Sequence, residues 1–252
     1  MIMKMFRQIF IGLVLVCSFF VGQARASLFY DDFNSGLDLD VWEKEYIGSS
    51  TWTWQPDGYI TAGTHWNLPD RMLDIVTKKD DFSDFVFTWE MRANSEVYHD
   101  DRRWAHFRSN NDFPYVDGYF VHTTVQYAYT GKDSLWFGKM NPDNTITWLD
   151  GVDLGFNFFQ LRQWYNYKLL ADGNEFKVKT WKQGTVEPDT WLLSASDPDN
   201  TYTQGRIGFG NYWQADTFID NPTVGLVPEP VSMLLFGSGF SVLFGFRRRK
   251  NV

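Results

Sequence analysis

The chain has almost no cysteine, few histidines and none of the common catalytic motifs. Cys17 is the only cysteine among 252 residues, so no disulfide and no multi-thiolate metal site can form within the chain. The four histidines have no paired ligand spacing, and the motifs His-Glu-x-x-His and Gly-x-Ser-x-Gly are absent. No stretch between the two ends shows a helical period. These absences argue against a disulfide scaffold, a catalytic zinc centre and an α-helical fold.

The charge is negative and is concentrated in the middle of the chain. Residues 27–226 keep 16 of the 23 basic and 30 of the 31 acidic residues, so their net charge is near −14. All 12 tryptophans and all 12 tyrosines lie in the same stretch. Such a charge argues against nucleic acid, and against anionic membranes or polyanions bound by charge alone, as partners.

The N-terminus has the three parts of a secretory signal peptide. Lys4 and Arg7 give a positive start, residues 9–21 are apolar, and Ala24-Arg25-Ala26 has the small-x-small pattern of a cleavage site. We therefore predict a signal peptide over residues 1–26, removed by signal peptidase. The single cysteine lies inside it, which leaves the mature protein without cysteine.

The C-terminus has a second three-part pattern over residues 227–252. The motif Val227-Pro228-Glu229-Pro230 is followed by an apolar run over 231–246 and a basic cluster over 247–250. At ~1.5 Å per residue the run spans about 24 Å, less than the roughly 30 Å hydrocarbon core, and is short for a plain membrane anchor.

This pattern resembles the PEP-CTERM sorting tail of exported Gram-negative proteins. The resemblance implies transient insertion in the inner membrane and recognition of Pro228, Glu229 and Pro230 by an exosortase. It further implies export across the inner membrane, with the cell surface or extracellular matrix as the destination. An ordinary C-terminal anchor is the alternative.

Residues 27–226 show the pattern of an all-β domain. Phe85, Phe87, Trp89 and Met91 alternate with more polar neighbours, the period of a half-buried strand. Turn signals such as Gln55-Pro56-Asp57-Gly58 and Asp172-Gly173-Asn174 separate short strand candidates. Many short strands with such turns predict a β-sandwich.

Three segments in order resemble concanavalin A-like (laminin-G-like) jelly rolls. They are Tyr30-Asp31-Asp32-Phe33-Asn34-Ser35-Gly36 with Trp42, the stretch from Trp164 to Trp191, and Gly205 to Gly210 with Phe218-Ile219-Asp220-Asn221. The resemblance implies a jelly-roll sandwich whose first and last strands are neighbours. It also implies that Asp32 and Asp220 could hold a structural calcium ion, which needs six to eight oxygen ligands. The alternative is that both aspartates only cap turns or solvate strand ends.

Folds of this group usually bind glycans on the concave sheet face. Strand alternation places Trp104, His106 and Arg108 on one face of one strand, and His122 and Gln126 on one face of another. Glu90 and Arg92 share a face of a third strand. If the three faces coincide, they form a groove with the aromatic and planar polar groups that sugars require, to which Trp136 and Trp213 would add stacking surface. The alternative is that most of these aromatics are core.

Three functions follow from these observations. The leading hypothesis is a non-catalytic surface or matrix protein that binds or organises polysaccharide. The second is a glycan hydrolase or lyase with Glu90 and either His106 or His122 as the acid/base set, although the Glu-x-Asp-x-x-Glu strand of sandwich glycosidases is absent. The third is a structural matrix protein without glycan preference.

Overall fold

A computed structural model describes residues 27–44, 52–62, 72–94, 102–110, 116–125, 131–212 and 216–227. The predicted signal peptide and the Pro228-Glu229-Pro230 motif with its tail lie outside these ranges. No helix among the described residues is long and apolar enough to cross a membrane. The described chain forms fifteen strands: β1 (Ser27–Tyr30), β2 (Trp42–Lys44), β3 (Trp52–Gln55), β4 (Tyr59–Ala62), β5 (Met72–Thr77), β6 (Phe85–Ala93), β7 (Arg102–Ser109), β8 (Gly118–Thr124), β9 (Lys132–Met140), β10 (Ile146–Phe156), β11 (Trp164–Asp172), β12 (Glu175–Lys182), β13 (Leu193–Ser196), β14 (Arg206–Tyr212) and β15 (Thr217–Leu226).

The strands form two antiparallel sheets. Sheet A has the order β13-β12-β11-β6-β15-β4-β3, with β1 added on β15, and sheet B has the order β10-β9-β8-β7-β14-β5-β2. Strands that follow each other in the chain often lie in different sheets, as β6 and β7 do. The prediction of an all-β jelly-roll sandwich is therefore confirmed.

The core lies between the two sheets and is largely aromatic. In β6 the alternation predicted from the sequence is present from Phe87 onward. Phe87, Trp89, Met91 and Ala93 are buried, while Thr88, Glu90 and Arg92 between them are only partly buried. The Phe87 and Phe209 rings bring sheet A and sheet B together at 5.7 Å between centroids. At the other end, Phe107 and Phe176 do the same at 5.1 Å.

Turn chemistry sets the hairpins of sheet A. Gly58 has φ +83°, and its N–H donates to the Gln55 carbonyl at 3.0 Å, which closes the turn between β3 and β4. Gly173, with φ +55°, occupies the left-handed position of the turn between β11 and β12. Both hairpins predicted from the sequence are confirmed.

The first and last described strands pair antiparallel, as the jelly-roll resemblance implied. Phe29 lies opposite Val224 and Tyr30 opposite Thr223, and the Asp31 N–H donates to the Pro222 carbonyl at 3.1 Å. This pairing brings the two ends of the domain to the same part of sheet A.

A buried polar network fastens the loop after β13 to sheet B. The carboxylate of Asp197 accepts hydrogen bonds from Tyr119 Oη at 2.7 Å, Lys139 Nζ at 3.1 Å and Thr201 Oγ1 at 3.0 Å. Burial alone would raise the pKa of Asp197, but these donors hold it at about 2. Burial raises the pKa of Tyr119 to about 12. The Asp197 carboxylate is therefore charged and fully engaged at neutral pH.

Candidate functional site

One row of residues crosses sheet B on the face turned away from the core. Gly210 lies opposite both Asp74 and Trp104, and His122 lies opposite both Trp104 and Trp136. Trp136 in turn lies opposite Gly151 on the edge strand. At ~4.8 Å between strands, the row is about 24 Å long. We call it the sheet B stripe: Asp74, Gly210, Trp104, His122, Trp136 and Gly151.

Glycines in and beside the stripe let large rings lie flat on the sheet. A β-carbon on Gly151 would be 2.2 Å from the Trp136 ring, and one on Gly138 would be 2.2 Å from the Phe120 ring. Any larger residue at either position would displace these rings. The glycines therefore fix where the aromatic side chains of the outer face rest.

Exposure increases along the stripe from Asp74 to Trp136. The side chains are 0% exposed at Asp74, 3% at Trp104, 8% at His122 and 38% at Trp136. Trp148, in the neighbouring row opposite Gly138, is 43% exposed. A ligand that approaches this face would therefore meet β9 and β10 first.

The exposed end is formed by two tryptophan rings set at an angle. The Trp136 and Trp148 centroids are 5.8 Å apart with 67° between the ring planes, and we call this pair the tryptophan corner. The His122 ring lies 5.6 Å from Trp148. Ser134 Oγ accepts a hydrogen bond from Trp136 Nε1 at 3.2 Å. His122 is 8% exposed, and its Nε2 lies 3.3 Å from Thr124 Oγ1. The exposed surface of the corner is therefore mainly aromatic, with Ser134 and His122 beside it.

The buried end of the stripe belongs to a second apolar cluster. Trp104 stacks on Phe120 at 3.8 Å between centroids and 17° between planes, and both pack with Met140 apart from the main core. Beside them His106 Nε2 and Asp74 Oδ1 are 2.9 Å apart in a buried pair. Trp104 and His106 do lie on one face with His122, but the first two are inside the protein rather than on a ligand-facing surface.

Glu90 and Arg92 do not join this face, because β6 belongs to sheet A and not to sheet B. In sheet A, Glu90 pairs with Asn166 on one side and with Asp220 on the other. The two residues therefore lie on the opposite outer face of the sandwich. The three-strand groove does not form, and the acid/base set of Glu90 with His106 or His122 is not assembled.

On sheet A both side chains have neighbours of their own. The Arg92 guanidinium lies over three rings, at 5.4 Å from Tyr59, 4.8 Å from Trp164 and 4.5 Å from Phe218. Glu90 Oε2 accepts a hydrogen bond from Gln183 at 2.7 Å. Such cation–π contacts stabilise an outward sheet face without any ligand.

Arg108 also leaves the predicted face, and its backbone explains why. Its φ of +48° and the shift in pairing between β14 and β7 break the alternation before the strand ends. The guanidinium is buried and donates to the Ser83 carbonyl at 2.6 Å, to the Gly173 carbonyl at 2.6 Å and to Asp84 at 2.8 Å. Arg108 therefore ties loops of sheet A to sheet B. Gln126 and Trp213 lie outside the described residues.

Asp32 and Asp220 lie near each other at the β1–β15 pair. Burial raises the pKa of Asp220 to about 6, and the charges of Glu90, Asp32 and Asp31 add to the rise. Hydrogen bonds from Asn34 lower the pKa of Asp32. Among the residues that the structure describes, no group of three or more His, Cys, Asp or Glu side chains is arranged to hold a metal. Calcium at this place stays a prediction.

The raised pKa of Asp220 gives a test with a defined sign. The folded protein binds this proton more tightly than the unfolded chain, so the stabilising contribution is lost as pH rises from about 4 to about 6. In EDTA, Asp220→Asn is expected to stabilise the protein by about 1 kcal/mol at pH 7, after allowance for solvent screening, and to have no effect near pH 3.5. Thermal unfolding at both pH values measures this. With excess calcium, a metal bound to Asp220 would reverse the order at pH 7.

The sequence alone drew attention to neither Asp74 nor Trp148. Asp74 is an acidic residue within the apolar strand Met72–Thr77, between the core residues Leu73 and Ile75. A lone carboxylate at an alternating position of such a strand was the available signal. Trp148 lay in a strand candidate, but its sheet and face depend on pairing with β9.

The two-sheet fold is similar to that of solved proteins that bind or cleave sugars. A carbohydrate-binding module of Bacillus subtilis, CBM66, matches with TM-score 0.53 and 18% identity over 73% of this chain and 94% of its own. A β-glucanase of Bacillus licheniformis matches with TM-score 0.54 and 11% identity over 82% and 100%. The lumenal domain of VIP36, solved with Ca²⁺ and Man3GlcNAc, matches with TM-score 0.52 and 9% identity over 75% and 85%.

These similarities establish the fold, since the identities are too low to carry a function. No protein-family model matches the chain, and no curated protein matches it. The chain has a concanavalin A-like jelly-roll fold, shared with a carbohydrate-binding module, a β-glucanase and the lumenal domain of VIP36.

Proposed function

We propose that the protein binds polysaccharide or another glycan, without cleaving it, through the tryptophan corner on the outer face of sheet B. The observation that carries the proposal is the corner itself. Two large indole rings are more than a third exposed and sit beside His122 and Ser134. Aromatic faces stack on the C–H surfaces of sugars, while imidazole and hydroxyl groups bond their hydroxyls. The similarity of the fold to a carbohydrate-binding module and to the VIP36 domain solved with Man3GlcNAc supports the same class of ligand.

The experiment is affinity retardation in native gels, with release of new reducing ends followed in the same samples. The panel holds barley β-glucan, laminarin, xylan, galactan and dextran, with alginate as the anionic member. We expect retardation by at least one neutral polymer and no new reducing ends. New reducing ends or unsaturated ends would support a hydrolase or lyase instead. No retardation by any member would contradict the proposal and favour a structural matrix role.

We further propose that the protein is exported and sorted by an exosortase to the cell surface or extracellular matrix. The support is the order of motif, apolar run and basic cluster over 227–252, together with the signal peptide pattern over 1–26. We also propose a structural calcium ion at Asp32 and Asp220. The support is that the charges of these two carboxylates interact and that the similar VIP36 domain has been solved with Ca²⁺.

Replacement of Pro228, Glu229 and Pro230 by alanines tests the sorting proposal. Proline favours an extended, non-helical backbone, which suits recognition by a protease, and alanine lacks that restraint. We expect the variant to accumulate uncleaved in the inner membrane, as judged by fractionation and immunoblotting. A variant with alanines in place of Asn251 and Val252 is the control and should be processed normally. Normal processing of the motif variant would contradict sorting by this tail.

A further inference from the structure

We propose that the tryptophan corner holds the end of a neutral glycan chain and not the middle of a long one. This inference rests on the proposed glycan binding and defines its substrate class. Three observations carry it: the fall in exposure along the sheet B stripe, the angle between the two indole rings, and the ion pairs that both lysines of β9 already form.

The fall in exposure limits how far a ligand can reach across the sheet. A chain that crossed the whole face would have to contact Trp104 and Asp74, yet these side chains are 3% and 0% exposed. Trp104 is instead stacked on Phe120 within the second apolar cluster. The accessible part of the stripe is the end on β8, β9 and β10, about 10 Å wide at two strand spacings. A ligand therefore enters from the β10 edge and stops near His122.

The angle between the rings suits a single sugar and not a flat run of sugars. Trp136 lies flat against Gly151 and forms a floor, while Trp148 stands at 67° to it and forms a wall. Successive rings of an extended chain need platforms that share a plane. A corner encloses one ring on two sides, which is what a terminal residue requires.

The charges at this end favour a neutral ligand. Lys132, at the start of β9, is paired with Asp153 at 2.6 Å. Lys139, at the other end of β9, points inward to Asp197 at 3.1 Å. An anionic chain would therefore find both lysines of β9 already engaged, on a domain whose net charge is near −14.

The test compares intact and fragmented forms of the same polymer at equal mass. Barley β-glucan, xylan and dextran are each cut by mild acid to about one tenth of their length, which gives about ten times as many chain ends per unit mass. For a polymer that retards the protein, we expect the fragments to bind about tenfold more tightly on a mass basis by isothermal titration calorimetry. Equal binding per unit mass would overturn the inference.

The Trp148→Ala variant separates this inference from the proposal beneath it. Removal of the wall should abolish the preference for fragments and reduce affinity for them at least tenfold. If intact and fragmented polymer retard the wild-type protein equally, and the variant is not retarded by either, glycan binding at the corner stands and the chain-end preference is rejected. Absence of retardation of the wild-type protein by all polymers, both intact and fragmented, would reject both.

Discussion

Asp197→Asn is expected to lower the free energy of unfolding by about 3–5 kcal/mol. The substitution keeps the size of the side chain but removes the charge that balances Lys139, whose ammonium is 3.1 Å from the carboxylate and almost completely buried. An uncompensated buried charge is costly because it cannot recover its hydration. Since domains of this kind are stable by only about 5–15 kcal/mol, the variant should be close to unfolding at 37 °C. Urea unfolding followed by tryptophan fluorescence gives the difference.

An exposed ion pair provides the control for Asp197. Lys79 and Asp81 are 3.3 Å apart on the surface, and Asp81→Asn should change the free energy of unfolding by less than about 1 kcal/mol. The wild-type contribution of Asp197 should also be present above about pH 4 and be lost as the pH falls through about 2, because its folded pKa is lowered. A loss below 1 kcal/mol for Asp197→Asn would show that the network does not hold the loop.

Trp136→Ala is expected to weaken glycan binding at least 30-fold, equivalent to about 2 kcal/mol, with little loss of stability. The ring forms the floor of the tryptophan corner, and its truncation removes one of the two exposed indole surfaces on this face. Because the ring is well exposed, the melting temperature should fall by less than about 4 °C. Trp136→Phe keeps a flat ring and should retain part of the affinity. Retardation gels and thermal unfolding of the same preparations measure both effects.

A tryptophan on the other sheet serves as the matched control for Trp136. Trp54 on β3 is similarly exposed, at 40%, and its Nε1 donates to the Phe33 carbonyl at 2.7 Å. Trp54→Ala should leave glycan affinity unchanged, although it loses that hydrogen bond. If Trp54→Ala weakens binding as much as Trp136→Ala does, the ligand is not on sheet B.

The strands and the fold class could be predicted from the sequence because they depend on local patterns. The alternation in β6 and the glycine turns of the two hairpins each lie within a few residues. Period-two burial therefore predicted which side of a strand faces the core, and turn residues predicted where strands end. The pairing of β1 with β15 followed from resemblance rather than from any local pattern.

The site was harder to predict from the sequence than the fold, because it depends on which sheet each strand joins. β6 and β7 are neighbours in the chain, yet Glu90 and Trp104 lie on opposite outer faces of the sandwich. No local pattern carries that information, since the choice of sheet is made by distant partners. Arg108 leaves the predicted face for another reason, because a positive φ near the end of β7 redirects its side chain. Positive φ is uncommon for residues other than glycine, so the sequence does not predict it here.

The central claim is that a glycan binds the outer face of sheet B at the tryptophan corner. Its most direct test is the set of indole N–H resonances of ¹⁵N-labelled protein, assigned by single Trp→Phe variants and titrated with fragments of the polymer that retards the protein. We predict that the Trp136 and Trp148 signals shift with saturation, while those of Trp164 and Trp181 on sheet A do not. Shifts confined to Trp164 and Trp181 would place the ligand on sheet A and contradict the account.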